Sequence, residues 1–169
     1  HIAESTESNI LQHLWGGILR GGMDGSVTSG KVAYVFGIFT SEAQPMYLHI
    51  GPVHGEAEQQ NSTRSEMHGI LCLVLFLNEL YHKHSLNGVF QAITIYGDNV
   101  ESLRIAKNGS SYSLKKAFSS DMDVAFELYA AVKKSTFEYE FEHVKSHQDD
   151  TIEYDLLSTE AKTNVQCDE

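Results

Sequence analysis

The chain has 169 residues, 41% of them hydrophobic and 21% charged, which suits one globular domain with a hydrophobic core. Its longest apolar run, ILCLVLFL at 70–77, is far too short to span a bilayer. The net charge of −11 argues against a tight nucleic-acid binder that acts alone, because phosphate contacts supply most non-specific affinity, but it does not exclude a nuclease.

The first third of the chain predicts a leader followed by three strands. Residues 1–13 are polar and helix-prone, and we expect them to precede a single domain that spans residues 14–169. The segment 16–41 reads as two strands joined by a Gly- and Ser-rich turn, and PMYLHIGPV at 45–53 reads as a third, short strand. Because sequential strands with short links usually pair with each other, these three are expected to form an antiparallel meander.

The remainder predicts helices that alternate with two more strands. Apolar residues recur at helical spacing from about Ser62 to His82, and helices are also predicted at about 99–107 and at 122–134. The β-formers at 92–96 predict a strand, as does the two-residue alternation of FEYEFEHV at 137–144. A polar tail follows, irregular until TEAKTNVQCDE. The order indicates a mixed sheet flanked by helices.

Three carboxylates occupy special places in these elements. Asp24 lies on the first strand, Glu66 in the first turn of the long helix, and Asp98 at the end of the fourth strand, where Gly97 is expected to allow a tight exit. If the fourth strand pairs beside the first, the three side chains converge. Their mutual repulsion would raise their pKa values. A hard divalent cation, Mg²⁺ or Mn²⁺, would relieve that repulsion.

Each of these residues also has a simpler interpretation. Asp24 could belong to a DGS turn. The TRSE segment fits a capping box in which Thr63 is the N-cap and Glu66 pairs with it, and Asp98 could cap the next helix. His147 could be a surface histidine and Asp168 a solvated terminal residue. All of these interpretations would have to hold together to explain the pattern.

Five segments resemble the motifs of ribonuclease H domains, especially those embedded in retroelement polyproteins: MDGSV (23–27), RSEMHGILCLVLFL (64–77), IYGDN (95–99), HVKSHQDD (143–150) and NVQCDE (164–169). The resemblance implies an α/β fold with a five-stranded mixed sheet, three strands antiparallel and then two parallel, flanked by helices. It implies that Asp24, Glu66, Asp98 and Asp168 are catalytic, metal-binding carboxylates. It also implies that His147 is a mobile histidine that helps proton transfer or product release.

The function implied by this resemblance is metal-dependent hydrolysis of the RNA strand of RNA–DNA hybrids. Two Mg²⁺ or Mn²⁺ ions, roughly 4 Å apart, would activate a water molecule, and the products would carry 5′-phosphate and 3′-hydroxyl ends. Recognition of RNA requires contacts to 2′-hydroxyl groups. The candidates for these contacts are the polar and glycine neighbours of the carboxylates: Gly25, Ser26, Ser62, Thr63 and Asn99. Two alternatives stay open: an inactive binding module of the same fold, and a related DNA-acting nuclease or transposase.

Two departures from the family pattern affect the site. The chain ends directly after Asp168, where the family continues into a helix, so Asp168 is expected to be poorly braced. Asp149 or Asp150 is therefore an alternative fourth ligand. Lys115 and Lys116 are the only adjacent basic pair near the expected substrate-binding handle, so weak binding of isolated hybrid is expected.

The setting of the protein is inferred from cysteine content and resemblance. Two cysteines do not indicate a disulfide framework, and no signal-peptide pattern is present, so an intracellular location, cytoplasmic or nuclear, is expected rather than secretion. We expect no membrane association and a monomeric isolated domain. The resemblance further implies a neighbouring reverse-transcriptase domain in a parent polyprotein.

Overall fold

The computed structural model describes residues 2–16, 19–28, 31–54, 61–86, 92–109 and 121–168. Its strands are β1 (Arg20–Thr28), β2 (Lys31–Phe39), β3 (Pro45–Pro52), β4 (Ala92–Gly97) and β5 (Glu138–His143). Its α-helices are α1 (Glu4–Gly16), α2 (Ser62–Lys83), α3 (Val100–Asn108), α4 (Met122–Lys134) and α5 (Thr159–Asp168). Two 3₁₀ turns, Gln148–Asp150 and Tyr154–Leu156, connect β5 to α5.

The five strands form one mixed sheet in the order β3-β2-β1-β4-β5. β1 pairs antiparallel with β2, and β2 antiparallel with β3. β4 is parallel to both of its neighbours, β1 and β5. The expected architecture of three antiparallel strands followed by two parallel ones is confirmed. The pairing of β4 beside β1, on which convergence of the carboxylates depends, is confirmed with it.

The long helix α2 carries the largest part of the core. Its apolar residues recur every three or four positions and are buried against β1, β2 and α4: Met67, Ile70, Leu71, Leu73, Val74, Leu77 and Leu80. The helix begins where the side chain of Asn61 accepts a hydrogen bond from the Arg64 backbone N–H at 2.8 Å. The cap and the core stripe together fix which residues of the first turn face the sheet.

The two faces of the sheet are covered by different helices. A Cβ atom placed at Gly21 would meet Leu73 of α2, whereas one placed at Gly22 would meet Thr163 and Cys167 of α5. Because successive residues of a strand point to opposite faces, α2 and α5 lie on opposite sides of β1. The helix α5, with Leu157 before it, forms a second small apolar cluster with Tyr96 and Val144.

The N-terminal segment is a helix that packs on the core. Ile10 and Leu14 of α1 are fully buried in the main apolar cluster. Glu7 is also buried and accepts hydrogen bonds from the Lys83 ammonium group at 2.7 and 2.9 Å, with His84 alongside. The helix α1 therefore runs across the boundary that we placed between the leader and the domain, after residue 13. Among the described helices, none is long and apolar enough to cross a membrane.

Candidate active site

Three carboxylates, from β1, from the end of β4 and from α2, meet beside the middle of the sheet. The register pairs Gly22 with Tyr96, so Asp24 and Asp98 each lie two residues beyond a paired position on neighbouring parallel strands. Glu66, the fifth residue of α2, approaches them from the packed helix. Each of the three offers one carboxylate oxygen, and these oxygens all lie within 4.8 Å of one another. The chain thus brings together the three acidic side chains that the sequence singled out.

The simpler interpretations of these residues are wrong. Asp24 lies inside β1, where it pairs with Val35, and not in a turn. The N-cap of α2 is Asn61 rather than Thr63, so Glu66 has no capping box to complete. The N-cap of α3 is Asn99, which accepts hydrogen bonds from two backbone N–H groups, so Asp98 does not cap that helix either.

The electrostatics of the cluster are those of a cation site. Burial, together with the negative charges of Asp98 and Asp24, raises the pKa of Glu66 to about 9. Burial also raises the pKa of Asp24 to about 6, although the hydrogen bond that its carboxylate accepts from the Gly25 N–H at 2.7 Å acts to lower the pKa. Glu66 is 4% exposed, and its Oε2 atom accepts no hydrogen bond from any described residue. An unsatisfied, buried carboxylate oxygen beside two more carboxylates fits Mg²⁺ or Mn²⁺, which prefer oxygen ligands.

Asp168 and His147 lie in the same cavity. This cavity has a volume of about 410 Å³ and is lined by Asp24, Gly25, Ser26, Val27, Ser62, Glu66, Asp98, Asn99, His147 and Asp168. The Nδ1 atom of His147 lies 3.2 Å from the Oδ2 atom of Asp168, and the charge of Asp168 contributes to the raised pKa of Asp24. Asp149 and Asp150 are exposed in the first 3₁₀ turn and are not among the described residues that line the cavity.

Asp168 is the last residue of α5, and its side chain is 43% exposed with His147 beside it. The helix that leads to it is packed on the sheet. A Cβ atom at Gly22 would lie 2.8 Å from Cγ2 of Thr163 and 3.1 Å from Sγ of Cys167, so α5 sits directly on β1. At its other end the helix is held by the ion pair between Arg20 and Glu160 at 3.1 Å. The polar composition of this segment gave little periodic signal from which to find the contact.

The residues expected to contact substrate differ in what they do. Gly25, Ser26, Ser62 and Asn99 line the cavity, and Thr63 lines an adjoining one. Asn99 donates a hydrogen bond to the hydroxyl of Thr63 at 3.3 Å, so these two also join α3 to α2. Gly25 is required by packing, since a Cβ atom there would lie 2.1 Å from Oγ of Ser65.

Two further expectations concern Gly97 and the basic pair Lys115 and Lys116. Gly97 leaves room for the side chain of Met23, whose Cε would lie 2.4 Å from an added Cβ. Lys115 and Lys116 lie outside the described residues. Sequence reasoning missed Asn61 and Arg64, although an Asn directly before a helix is a recognisable capping signal.

Comparisons with known proteins identify the fold. No protein-family model matches the chain, and no curated protein sequence matches it. Solved structures do match. The N-terminal RNase H domain of Rv2228c from Mycobacterium tuberculosis superposes with a TM-score of 0.53 at 10% identity, over 78% of this chain and 85% of that one. The RNase H1 of Halobacterium salinarum NRC-1 gives 0.50 at 11% identity, over 78% and 89%.

A third structure agrees with these two. LC11-RNase H1, isolated from compost by a metagenomic approach, gives a TM-score of 0.55 at 8% identity, over 79% of this chain and 89% of that one. The chain therefore has the ribonuclease H fold, as the sequence motifs led us to expect. At this level of identity the likeness concerns the fold, and the chemistry has to be argued from the site.

Proposed function

We propose that the protein is a metal-dependent endonuclease that hydrolyses the RNA strand of RNA–DNA hybrids. The observation that carries the proposal is the cluster of Asp24, Glu66 and Asp98, whose carboxylate oxygens lie within 4.8 Å of one another. This cluster lies just beyond the paired segment of β1 and β4, the two central parallel strands of a ribonuclease H fold. The three carboxylates suit a divalent cation. Helix capping does not explain their placement, because the caps of α2 and α3 are Asn61 and Asn99.

The proposed mechanism assigns a role to each of five side chains. Two Mg²⁺ or Mn²⁺ ions, when bound, would supply an activated water molecule and stabilise the leaving oxygen. Asp24, Glu66 and Asp98 would hold these ions, with Asp168 completing the set from the end of α5. Burial keeps the Glu66 carboxylate in one place. His147, at the exposed rim, would assist proton transfer or product release, and the products would carry 5′-phosphates.

Selection of RNA is proposed to involve the polar groups around the cavity. Ser26 and Ser62 are exposed and line the cavity beside the carboxylates, so their hydroxyls are placed to contact a 2′-hydroxyl or a phosphate. Gly25 lets the strand pass close to α2. Thr63 and Asn99 are proposed to contribute through their mutual hydrogen bond as well as by direct contact.

The wider setting is proposed from the sequence resemblance alone. The domain would belong to a retroelement polyprotein with a reverse-transcriptase neighbour, located inside the cell. A net charge of −11 makes strong binding of the hybrid by the isolated, monomeric domain unfavourable. The reverse-transcriptase domain would therefore supply much of the binding affinity.

A cleavage assay on four labelled substrates tests the proposal. The substrates are an RNA–DNA hybrid, duplex RNA, duplex DNA and single-stranded RNA, each with Mg²⁺, with Mn²⁺ and with EDTA, beside the variant Asp98→Asn. We expect metal-dependent cutting of the RNA strand of the hybrid only, lost in D98N. Cutting of duplex DNA would instead indicate a related DNA nuclease or transposase. Metal-independent binding of hybrid without cutting would indicate an inactive module.

A further inference from the structure

A buried arginine joins the first turn of α2 to the first turn of α4. Arg64 is only 2% exposed, although its guanidinium group carries a full charge. Its Nη1 and Nη2 atoms donate to the two carboxylate oxygens of Asp123, both at 2.8 Å, in a bidentate pair. Its Nε and Nη2 atoms also donate to the backbone carbonyl of His54, at 3.2 and 3.1 Å. A charge buried at this depth persists only because it is paired on several sides.

A second residue of the same turn strengthens this junction. The side-chain oxygen of Asn61 caps α2 through the Arg64 backbone N–H, while its Nδ2 atom donates to both oxygens of Asp121 at 3.1 and 3.2 Å. Asp121 in turn lies 3.8 Å from the Arg64 guanidinium. The start of α2, the start of α4 and the end of β3 are therefore held in one polar network.

The network lies behind the acidic cluster. Arg64 and Glu66 are two residues apart, which places their side chains about 200° apart around the helix axis. Arg64 faces α4, and Glu66 faces Asp24 and Asp98. Repulsion among the three carboxylates pushes the first turn of α2 away from the sheet, and the contacts of Arg64 hold the turn from the opposite side.

We infer that Arg64 is a positioning residue, which fixes the first turn of α2 so that the Glu66 carboxylate stays in register with Asp24 and Asp98. The consequence for cation binding rests on the proposed function. Groups that orient a metal ligand typically change metal affinity by about 10- to 100-fold when removed. We expect an effect of that size for Arg64→Met, and also for Arg64→Lys, because an ammonium group cannot replace the bidentate fork.

The direction of the effect separates this role from two others. If Arg64 acted only through its charge, its removal would strengthen cation binding, because the site would lose a nearby positive charge. If Arg64 served only overall stability, cation affinity would not change at a temperature where the variant is folded. Only a positioning role weakens binding in a folded protein.

The experiment is a titration with Mn²⁺ followed by electron paramagnetic resonance, on the parent, R64M, R64K and Asp123→Asn. Asp123→Asn is expected to disturb the packing least, since the Asp123 side chain is 64% exposed and Arg64 keeps its contacts with the His54 carbonyl and Asp121. The matched control is Glu7→Gln, which breaks the ion pair between the buried Glu7 and the exposed Lys83 at the other end of α2, about 25 Å away. Thermal melting establishes that each variant is folded at the titration temperature.

We expect R64M, R64K and D123N to bind Mn²⁺ more weakly than the parent, and E7Q to bind it equally. Unchanged or tighter binding in folded R64M would overturn the inference. If the parent itself binds no Mn²⁺, the proposed function fails, and amide hydrogen exchange at Glu66 and Met67 then decides the positioning role. Faster exchange in R64M or D123N but not in E7Q would support it, and unchanged exchange would overturn it.

Discussion

The Nδ1 atom of His147 lies 3.2 Å from the Oδ2 atom of Asp168, and this contact closes one side of the acidic cavity. His147 has a left-handed backbone conformation, with φ of 50°, directly before the first 3₁₀ turn. Its side chain is 63% exposed, so the histidine borders both solvent and the cluster. This placement supports the role proposed for His147 in proton transfer or product release.

Replacement of His147 is expected to slow cleavage without unfolding the protein. Because the side chain is exposed, His147→Ala leaves the melting temperature close to that of the parent. Turnover falls by about 100-fold if the ring transfers a proton. Single-turnover and multiple-turnover rates separate the two proposed roles, since a defect in product release slows only the second. His143→Ala is the control, because His143 is exposed on β5 and is not among the described residues of this cavity.

The fourth carboxylate of the site is expected to be Asp168. Asp168→Asn lowers the rate of hybrid cleavage by about tenfold or more, since Asp168 lines the cavity and its charge acts on Asp24. Asp149→Asn and Asp150→Asn leave the rate unchanged, because both residues are exposed outside the cavity. Cleavage rates of the three variants check this. The opposite ranking would move the fourth ligand to the 3₁₀ turn.

Loss of one carboxylate is expected to separate activity from stability. Asp98→Asn abolishes cleavage but leaves the metal-free protein as stable as the parent or more stable, because the substitution relieves repulsion with Glu66 and Asp24. Cleavage assays and melting curves in EDTA measure both properties. A clear loss of stability in D98N would contradict the assignment of Asp98 as a repelled metal ligand.

The stability of the metal-free protein is expected to fall as the pH rises from 6 to 9. The pKa of Glu66 is raised from 4.5 to about 9, and that of Asp24 from 3.8 to about 6. Because the folded state binds these protons more tightly than the unfolded state, the stabilising contribution is complete below the unfolded values. It is lost as the pH rises through the folded values. Melting temperatures in EDTA measure this decline.

The variant Glu66→Gln is the control for that experiment. It removes the carboxyl whose pKa is the higher of the two, so the decline at the upper end of the range becomes smaller. Carboxyls with lowered pKa values, such as Glu7 and Asp123, do not interfere, because their contribution is lost only when the pH falls below this range. A melting temperature that stays level or rises from pH 6 to 9 in the parent would contradict the prediction.

Close packing of β1 on α2 makes Gly25 sensitive to substitution. In Gly25→Ala the new Cβ atom would lie 2.1 Å from Oγ of Ser65 and 2.9 Å from Cγ of Glu66, so the first turn of α2 has to shift. We expect a loss of about 1–3 kcal/mol in the free energy of unfolding, together with weaker Mn²⁺ binding. Denaturant unfolding and metal titration measure the two effects. Gly16→Ala is the control, since a Cβ atom there has no neighbour within 4 Å among the residues that the structure describes.

Much of the architecture could be read from local pattern. Helical spacing predicted α2 from 62 to 82 against an observed Ser62–Lys83, and two-residue alternation predicted β5. These patterns succeed because each residue reports which face of its own element is buried. Asp24, Glu66 and Asp98 were also found from sequence, since their element contexts matched the motifs of one fold.

The competition between possible helix caps could not be decided from sequence. By residue type, Thr63 and Asp98 can cap a helix as Asn61 and Asn99 can. Which residue does so depends on where each helix begins in the folded chain. Likewise, the packing of α1 through Ile10 and Leu14 was hidden in a segment that looked polar.

The sequence by itself determined the five strands, the helices α2, α3 and α4, their order and the residues of the acidic triad, because these depend on residue type and on spacing within an element. Only the tertiary structure decided that α5 packs on Gly22 through Thr163 and Cys167 and that Arg64 anchors α2 to Asp123. The contacts of Gly22 with Cys167 and of Arg64 with Asp123 join residues 145 and 59 positions apart in the chain, and no local periodicity encodes them. They depend on the register of β1 beside β4 and on which helix covers each face of the sheet.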